Sequence, residues 1–340
     1  MQGGHHFPQA CRGPLADILS AVIPLFAVVL LGFVAGKRLA LFDAVAAQKL
    51  NALVFYFAVP ALAFRTVSGA ALEGGLEPRV LFAYAGAEIT VFAFAALTGW
   101  LLWRRSMAGC VVMGLGGSFS NGFYMALPIT FALFGEAGVV QLLLVLAFDT
   151  MVLLPFAMVL LDIAKARDIE SGRRDGGTRG IAAVLRTAFG NVVRNPVVLA
   201  TLVGIAIGLS GFAVPALADR TLQLIGQAAL PAALFAIGCD LAHRGVENQP
   251  GAVGTVVLAK LVLHPLLVFT YGTMIGLPAL PLVVATVAAS MPVGATVFIA
   301  ASQYNAAVGI ATTSILVSTS TAVASISVVL YALQTLGLML

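Results

Sequence analysis

The run Gly114-Leu-Gly-Gly-Ser-Phe-Ser-Asn121-Gly-Phe-Tyr-Met-Ala-Leu-Pro128 lies inside a long apolar segment, and Ala288-Ala-Ser290-Met-Pro292-Val-Gly294-Ala-Thr296 holds the corresponding place in the second half of the chain. Glycines at 114, 116, 117 and 122 lower helix propensity, and Asn121-Gly122 is a turn-favouring pair. A helix is predicted to open here. Leu127-Pro128 suits its restart, because proline is tolerated in a first turn, where no intrahelical donor is needed. In lipid, an opened backbone survives only where protein or a water-filled cavity surrounds it. Two such breaks in matching positions are the sequence pattern of a secondary transporter's binding site.

The composition places both breaks in a membrane. Hydrophobic residues make up 61% of the 340-residue chain and charged residues 9%, and the mean hydropathy is +1.05. A chain of this kind has too few polar residues to clothe a soluble surface. At ~20 apolar residues per crossing, ten spans fit the sequence: 17–36, 44–66, 80–103, 107–134, 138–163, 195–211, 215–241, 251–276, 281–303 and 308–336. The expected fold is an all-α membrane protein. Cys11, Cys110 and Cys239 follow no metal-ligand spacing and read as small apolar residues. The start, Met1 to Pro14, carries His5, His6 and Arg12 and no cleavable signal pattern, so it reads as a short tail.

The net charge of +4 becomes informative once divided among loops. If the spans alternate, Lys37, Arg38, Lys49, Arg104, Arg105, Lys165, Arg167, Arg173, Arg174, Arg179, Arg186, Arg194 and Arg244 share one side, and Arg12, Arg65, Arg79 and Arg220 the other. The positive-inside rule puts the first group in the cytoplasm and both termini outside. The basic stretch from Lys165 to Arg194 is interleaved with Asp168, Glu170 and Asp175 and lacks an aromatic platform, so it reads as a topology-setting connector rather than a nucleic-acid site. Three units are expected: residues 1–164, a cytoplasmic connector at 165–194, and residues 195–340.

The two large units read as repeats. Gly32 and Gly36 match Gly204 and Gly208, Val59-Pro60-Ala61-Leu62 resembles Leu230-Pro231-Ala232-Ala233, Glu88 falls opposite Lys260, and Pro128 opposite Pro292. Each match is weak; their nearly constant offset is what carries the reading. With five spans in each half, the second enters from the opposite side, giving two inverted five-helix repeats.

At the breaks, a half-helix starting near Pro128 would turn N–H groups and a partial positive charge toward the bilayer centre, a site for a carboxylate. Asn121 adds a side-chain amide, Ser118, Ser120, Ser290 and Thr296 flank the two breaks, and Tyr124, Met125 and Met291 offer apolar wall. The plainer alternative is a proline kink with a structural asparagine. Pro60 and Pro231 read as kinks of that sort. Glu88, Asp149, Lys260 and His264 lie well inside spans, where a charge near the centre costs roughly 2.5–3.5 kcal/mol and faces a partner or a pathway. Lys260 is ~13 Å and Asp149 ~16 Å from the near end of its span at 1.5 Å per residue. For Lys260 three readings stand: countercharge to an anionic substrate, a fixed cation in place of sodium, or an ion pair with Glu88 or Asp149. His264 either satisfies a carbonyl freed by Pro265 or relays protons. Asp149 is the expected proton-coupling group. Hydroxyl residues of the tenth span, Thr312 to Thr321, read as helix packing before pathway lining.

The stretches Ser118 to Ile129, Leu133-Phe-Gly135-Glu136-Ala-Gly138, Lys260-Leu-Val-Leu-His264-Pro265-Leu-Leu and Ser290-Met-Pro292-Val-Gly294-Ala-Thr-Val-Phe together resemble the auxin efflux carrier family, whose prokaryotic members include permeases assigned to malonate and malate. The resemblance covers nearly the whole chain. It implies ten transmembrane helices as two inverted repeats with crossing broken helices four and nine, a plan similar to bile acid and sodium/proton transporters. A homodimer is a further implication. The expected function is a cell-membrane secondary transporter for a small organic carboxylate, linked to protons or, failing that, sodium. A passive anion channel or a sensor is the alternative. The absence of HExxH, GxSxG, Asp-rich metal-box and paired-cysteine patterns argues against an enzyme, no cofactor or metal is expected, and without a P-loop ATP-driven transport would require a separate subunit.

Overall fold

The computed structural model describes residues 14–70, 77–170, 196–243 and 249–339, and every described regular element is helical. The basic connector from 171 onward and the tail with His5, His6 and Arg12 lie outside these residues. In chain order the α-helices are α1 (Pro14–Arg38), α2 (Ala44–Leu53), α3 (Val59–Ala70), α4 (Arg79–Leu101), α5 (Met107–Ser118), α6 (Leu127–Phe148), α7 (Leu154–Glu170) and α8 (Pro196–Ser210). They continue as α9 (Ala216–Gln227), α10 (Ala229–His243), α11 (Pro250–Leu258), α12 (His264–Met274), α13 (Ala279–Ala289), α14 (Thr296–Gln303) and α15 (Val308–Thr335). Among the described residues, six continuous helical segments are long and apolar enough to cross a membrane: Ala44–Arg65, Arg79–Leu101, Gly122–Lys165, Ala216–His243, Pro250–Met274 and Val308–Thr335. The protein is a multi-pass membrane protein.

Proline shapes several of these rods. Among the described residues, four π-helical turns, Val54–Ala58, Gly122–Ala126, Asp149–Leu153 and Ala259–Leu263, join α2 to α3, enter α6, join α6 to α7, and join α11 to α12. Each ends one residue before a residue–proline pair: Val59-Pro60, Leu127-Pro128, Leu154-Pro155 and His264-Pro265. A proline ring collides with the carbonyl four residues earlier and offers no N–H. Widening the preceding turn by one residue relieves both problems, so the chain stays helical through the proline.

The outer surface is apolar, as lipid requires, with Phe57, Phe82, Leu217 and Met274 exposed. Glu88, Asn121, Gln141, Asp149, Lys260 and His264 are buried. Two groups of helices are evident in the packing. In the first, α1 lies along α10, α3 along α8, and α2 and α3 also meet α10 and α9. Gly32 and Gly238 set the α1–α10 approach: a Cβ on either would run into a backbone carbonyl of the other helix, that of Phe235 or Val29. In the second group α4 packs on α5 and α12, α12 on α13, α5 on α7, and α11 and α14 on α15. Arg65 of α3 ties the groups together at one face, pairing with Glu136 of α6 and Asp219 of α9 at 2.9 Å each. At the same face Glu77 pairs with Arg79 (2.8 Å), and the guanidinium holds that carboxyl below the ordinary glutamate range.

Candidate functional site

The first break falls at Phe119–Asn121, where α5 ends in extended backbone, and helix resumes at Gly122 in a π-turn rather than at Pro128. The position expected from Leu127-Pro128 is therefore several residues late. Asn121 opens the new helix with its carbonyl, which accepts from the N–H groups of Met125 (3.1 Å) and Ala126 (3.0 Å). Pro128 is buried in the second position of α6, its missing donor absorbed by the π-turn. The second break runs from Ser290 to Ala295, between α13 and α14, and contains Pro292.

The two breaks lie antiparallel and pair. Asn121 N–H donates to the Pro292 carbonyl (2.9 Å) and Gly294 N–H to the Phe119 carbonyl (3.1 Å), an isolated bridge between Ser120 and Val293. Gly294 permits this approach, since a Cβ there would sit 2.8 Å from the Ser120 carbonyl oxygen. Val293 N–H donates to Ser318 Oγ of α15 at 3.1 Å. Backbone opened in an apolar interior thus finds partners in the opposite break and in α15.

The carbonyl end of α13 is capped by side chains. Ser290 Oγ donates to Val287 (2.7 Å), Ser120 Oγ to Ala288 (2.9 Å) and Lys260 Nζ to Ala289 (2.5 Å). A cation at a helix C-terminus is favourably placed against the dipole. Lys260 Nζ also lies 3.0 Å from His264 Nδ1, so a charged lysine makes that nitrogen an acceptor. Of the three readings for Lys260, a direct ion pair is not the arrangement found: among the described residues its short contacts are Ala289 and His264. Tyr84 completes the group, its hydroxyl 3.1 Å from Ser120 Oγ and its ring centroid 5.2 Å from that of His264.

Glu88 of α4 and Asp149 of the π-turn before α7 meet within hydrogen-bonding reach, with Lys260 and Tyr84 near enough to feel their charge. Relative exposure is 0% for Glu88, Lys260 and His264 and 2% for Asp149. None of the four carboxyl oxygens receives a hydrogen bond from a described residue, and His264 Nε2 is likewise without a partner. Buried polar groups are rarely left this way.

Beside the breaks lies a small cleft lined by Phe119, Ser120, Asn121, Gly122, Phe123, Tyr124, Leu146, Asp149, Gly294, Ala295 and Thr296. Of the residues expected to bind substrate, Ser120, Asn121, Tyr124 and Thr296 line it. Pro292 lies behind it and contacts it through its carbonyl bond to Asn121. Ser118, Pro128 and Ser290 do not reach it, and Ser118 and Ser290 turn their hydroxyls onto their own helices, Ser118 to Gly114 at 3.1 Å. The sequence reading did not single out Tyr84, although it stands one turn before Glu88 on the same face of α4, nor Ser318 as the partner of a break.

A sequence-family description, "Membrane transport protein", matches residues 17–331. The chain is 29% identical over 322 residues to a Rhizobium meliloti protein named "Putative malonate transporter", covering 94% of this chain and 97% of that one. It is 23% identical to auxin efflux carrier component 8 of Arabidopsis thaliana, covering 85% and 89%, and 26% identical to the uncharacterized transporter YfdV of Escherichia coli K12, covering 89% and 94%. An all-helical apolar bundle accords with these relatives, and the chain belongs to the membrane transport protein family, which includes the auxin efflux carriers.

Proposed function

We propose that the protein is a secondary transporter of the cell membrane that moves a small organic carboxylate by alternating access, with proton linkage. The observation that carries this reading is the pairing of the two breaks beside a cleft and a buried ionisable cluster. A purely structural kink has no use for Asn121 at the cleft wall or for carboxyls without donors.

The architecture we propose is ten spans in two inverted repeats with the fourth and ninth crossing. Ser118, the last residue of α5, and Ser290, which caps α13, are separated by 172 residues, the separation of Gly32 from Gly204 and of Glu88 from Lys260. Packing follows the same exchange: α1 lies on α10 as α8 lies on α3, and α4 meets α5 as α12 meets α13. The distribution of basic residues supports placing both termini outside the cytoplasm.

The anion binds where the first turn from Gly122 presents N–H groups and the side chain of Asn121 faces the cleft. Malonate, which the named relative suggests, is the first candidate. In proteoliposomes, wild-type protein accumulates radiolabelled malonate or another carboxylate against its gradient when the lumen is made alkaline. Asn121→Ala loses at least about tenfold in affinity, about 1.4 kcal/mol, while eluting as a single folded species. Asp149→Asn loses the pH drive and keeps exchange. Equilibration without accumulation makes the protein a channel, and normal affinity in Asn121→Ala moves the site elsewhere.

A further inference from the structure

We propose that Glu88 and Asp149 form one proton-binding site that holds a single proton shared between the two carboxyls. The inference rests on the transporter reading for its purpose and on geometry for its existence. The carboxyls come from different segments, α4 and the π-turn Asp149–Leu153, and meet inside the bundle. All four oxygens lack a donor among the described residues. Two acceptors in contact repel unless something stands between them, and the smallest species that satisfies both is a proton.

Charge counting gives the same number. Buried charge must be compensated locally. The groups facing the pair are Tyr84 from α4 and Lys260 from the π-turn Ala259–Leu263, with His264 of α12 in contact with Lys260. Tyr84 and His264 are neutral in their hydrogen-bonded roles. Two carboxylates against one ammonium leave a charge of minus one, and one proton brings the cluster to neutrality. Other elements packed on α4 supply nothing to offset it. Neither α13 nor α11 has an ionisable side chain, the Cys110 thiol of α5 sits against Gly99 about three turns along α4 from Glu88, and Glu136 of α6 is engaged by Arg65.

The location gives the proton a use. Asp149 lines the cleft and Glu88 stands behind it, so the site exchanges protons through Asp149. Among the described residues of the cleft wall, Asp149 is the one carboxyl. A carboxylate arriving while the proton is held meets a neutral cluster, and one arriving after the proton has left meets a cluster of net charge minus one. By reciprocity, anion and proton then favour each other's binding. Protonation is a transfer onto a carboxylate oxygen from water in the cleft, with no change of oxidation state.

Infrared spectroscopy tests the site without any anion. Substrate-free protein in lipid nanodiscs should show the carbonyl stretch of a buried protonated carboxyl, lost in a single one-proton step as pH is raised. Glu88→Gln and Asp149→Asn should each abolish the signal completely, because the remaining carboxylate balances Lys260 and has no need of a proton. Thermal melting of each variant separates this from misfolding, and the wild-type titration stands independently of both. Absence of the band in wild type overturns the proposal, as does retention of half of it in each variant, which means two separate acids. A band that emerges only when choline replaces sodium assigns the site to sodium instead. Because no anion enters these measurements, their failure leaves the transporter reading standing, and failed carboxylate uptake leaves the proton site standing.

Discussion

The two breaks in the helical rods differ in what they offer. The first, Phe119–Asn121, works through side chains: Ser120 reaches Tyr84 and Ala288, and Asn121 and Tyr124 line the cleft. The second, Ser290–Ala295, works through backbone, with carbonyls at its approach taking Ser120 and Lys260 and its own N–H and C=O groups taking Ser318 and Asn121. One break presents side chains to the cleft, the other a scaffold of dipoles. Substitutions should therefore alter selectivity at the first and stability at the second.

The sharpest way to break this contrast is Lys260→Met. It strips the α13 carbonyl end of its cation and leaves the carboxyl pair uncompensated, and removing one partner of a buried charged set costs on the order of 3–5 kcal/mol. A steep fall in the thermal midpoint of detergent-solubilised protein is expected. A midpoint near wild type would mean that the second break does not depend on its cap.

Next in size is Gly294→Ala. The added methyl must displace the Ser120 carbonyl or the Phe119 ring, and overpacking of this kind costs about 1–3 kcal/mol. The expected result is lower thermal stability with unchanged rank order among transported carboxylates. A changed rank order would erase the division between a specific break and a scaffolding one.

The smallest effect separates two prolines that do the same local job. Pro155→Ala releases the π-turn that carries Asp149, whereas Pro60→Ala releases one that carries only Val54–Ala58. Pro155→Ala should lower pH-driven uptake on the order of tenfold, about 1.4 kcal/mol, with Pro60→Ala close to wild type in the same proteoliposome assay. Equal effects would mean that the π-turns act on stability alone.

Much of the architecture was legible because lipid leaves the chain few options. Apolar runs end where helices end, so the expected spans at 80–103 and 308–336 agree with α4 and α15 to within about two residues. The site was legible only in part. Asn121-Gly122 stands where helix resumes after Phe119–Asn121, since turn-favouring residues dominate local propensity there. Pro128 misled because a π-turn absorbs proline without breaking the rod, information held in hydrogen-bond geometry rather than in residue type. Ser118 looked equivalent to Ser120, two residues apart in sequence, but the helix runs through Ser118 and turns its hydroxyl back to Gly114. Glu88 and Asp149 were each recognisable as costly. Their meeting depends on how α4 packs against the segment after α6, which no local pattern encodes.

The four π-turns have a consequence for how relatives should be aligned. Each holds one residue more than an α-turn of the same rise, an insertion that the fold has swallowed while the helices on either side keep their facing. A family member lacking the proline equivalent to Pro60, Pro128, Pro155 or Pro265 has no reason to keep the extra residue. Such a chain should be shorter by one residue in the half-dozen positions before the missing proline, with the sequence in step again on both sides. The gap would travel with the proline, leaving in the lengths of relatives a record of where these helices were widened.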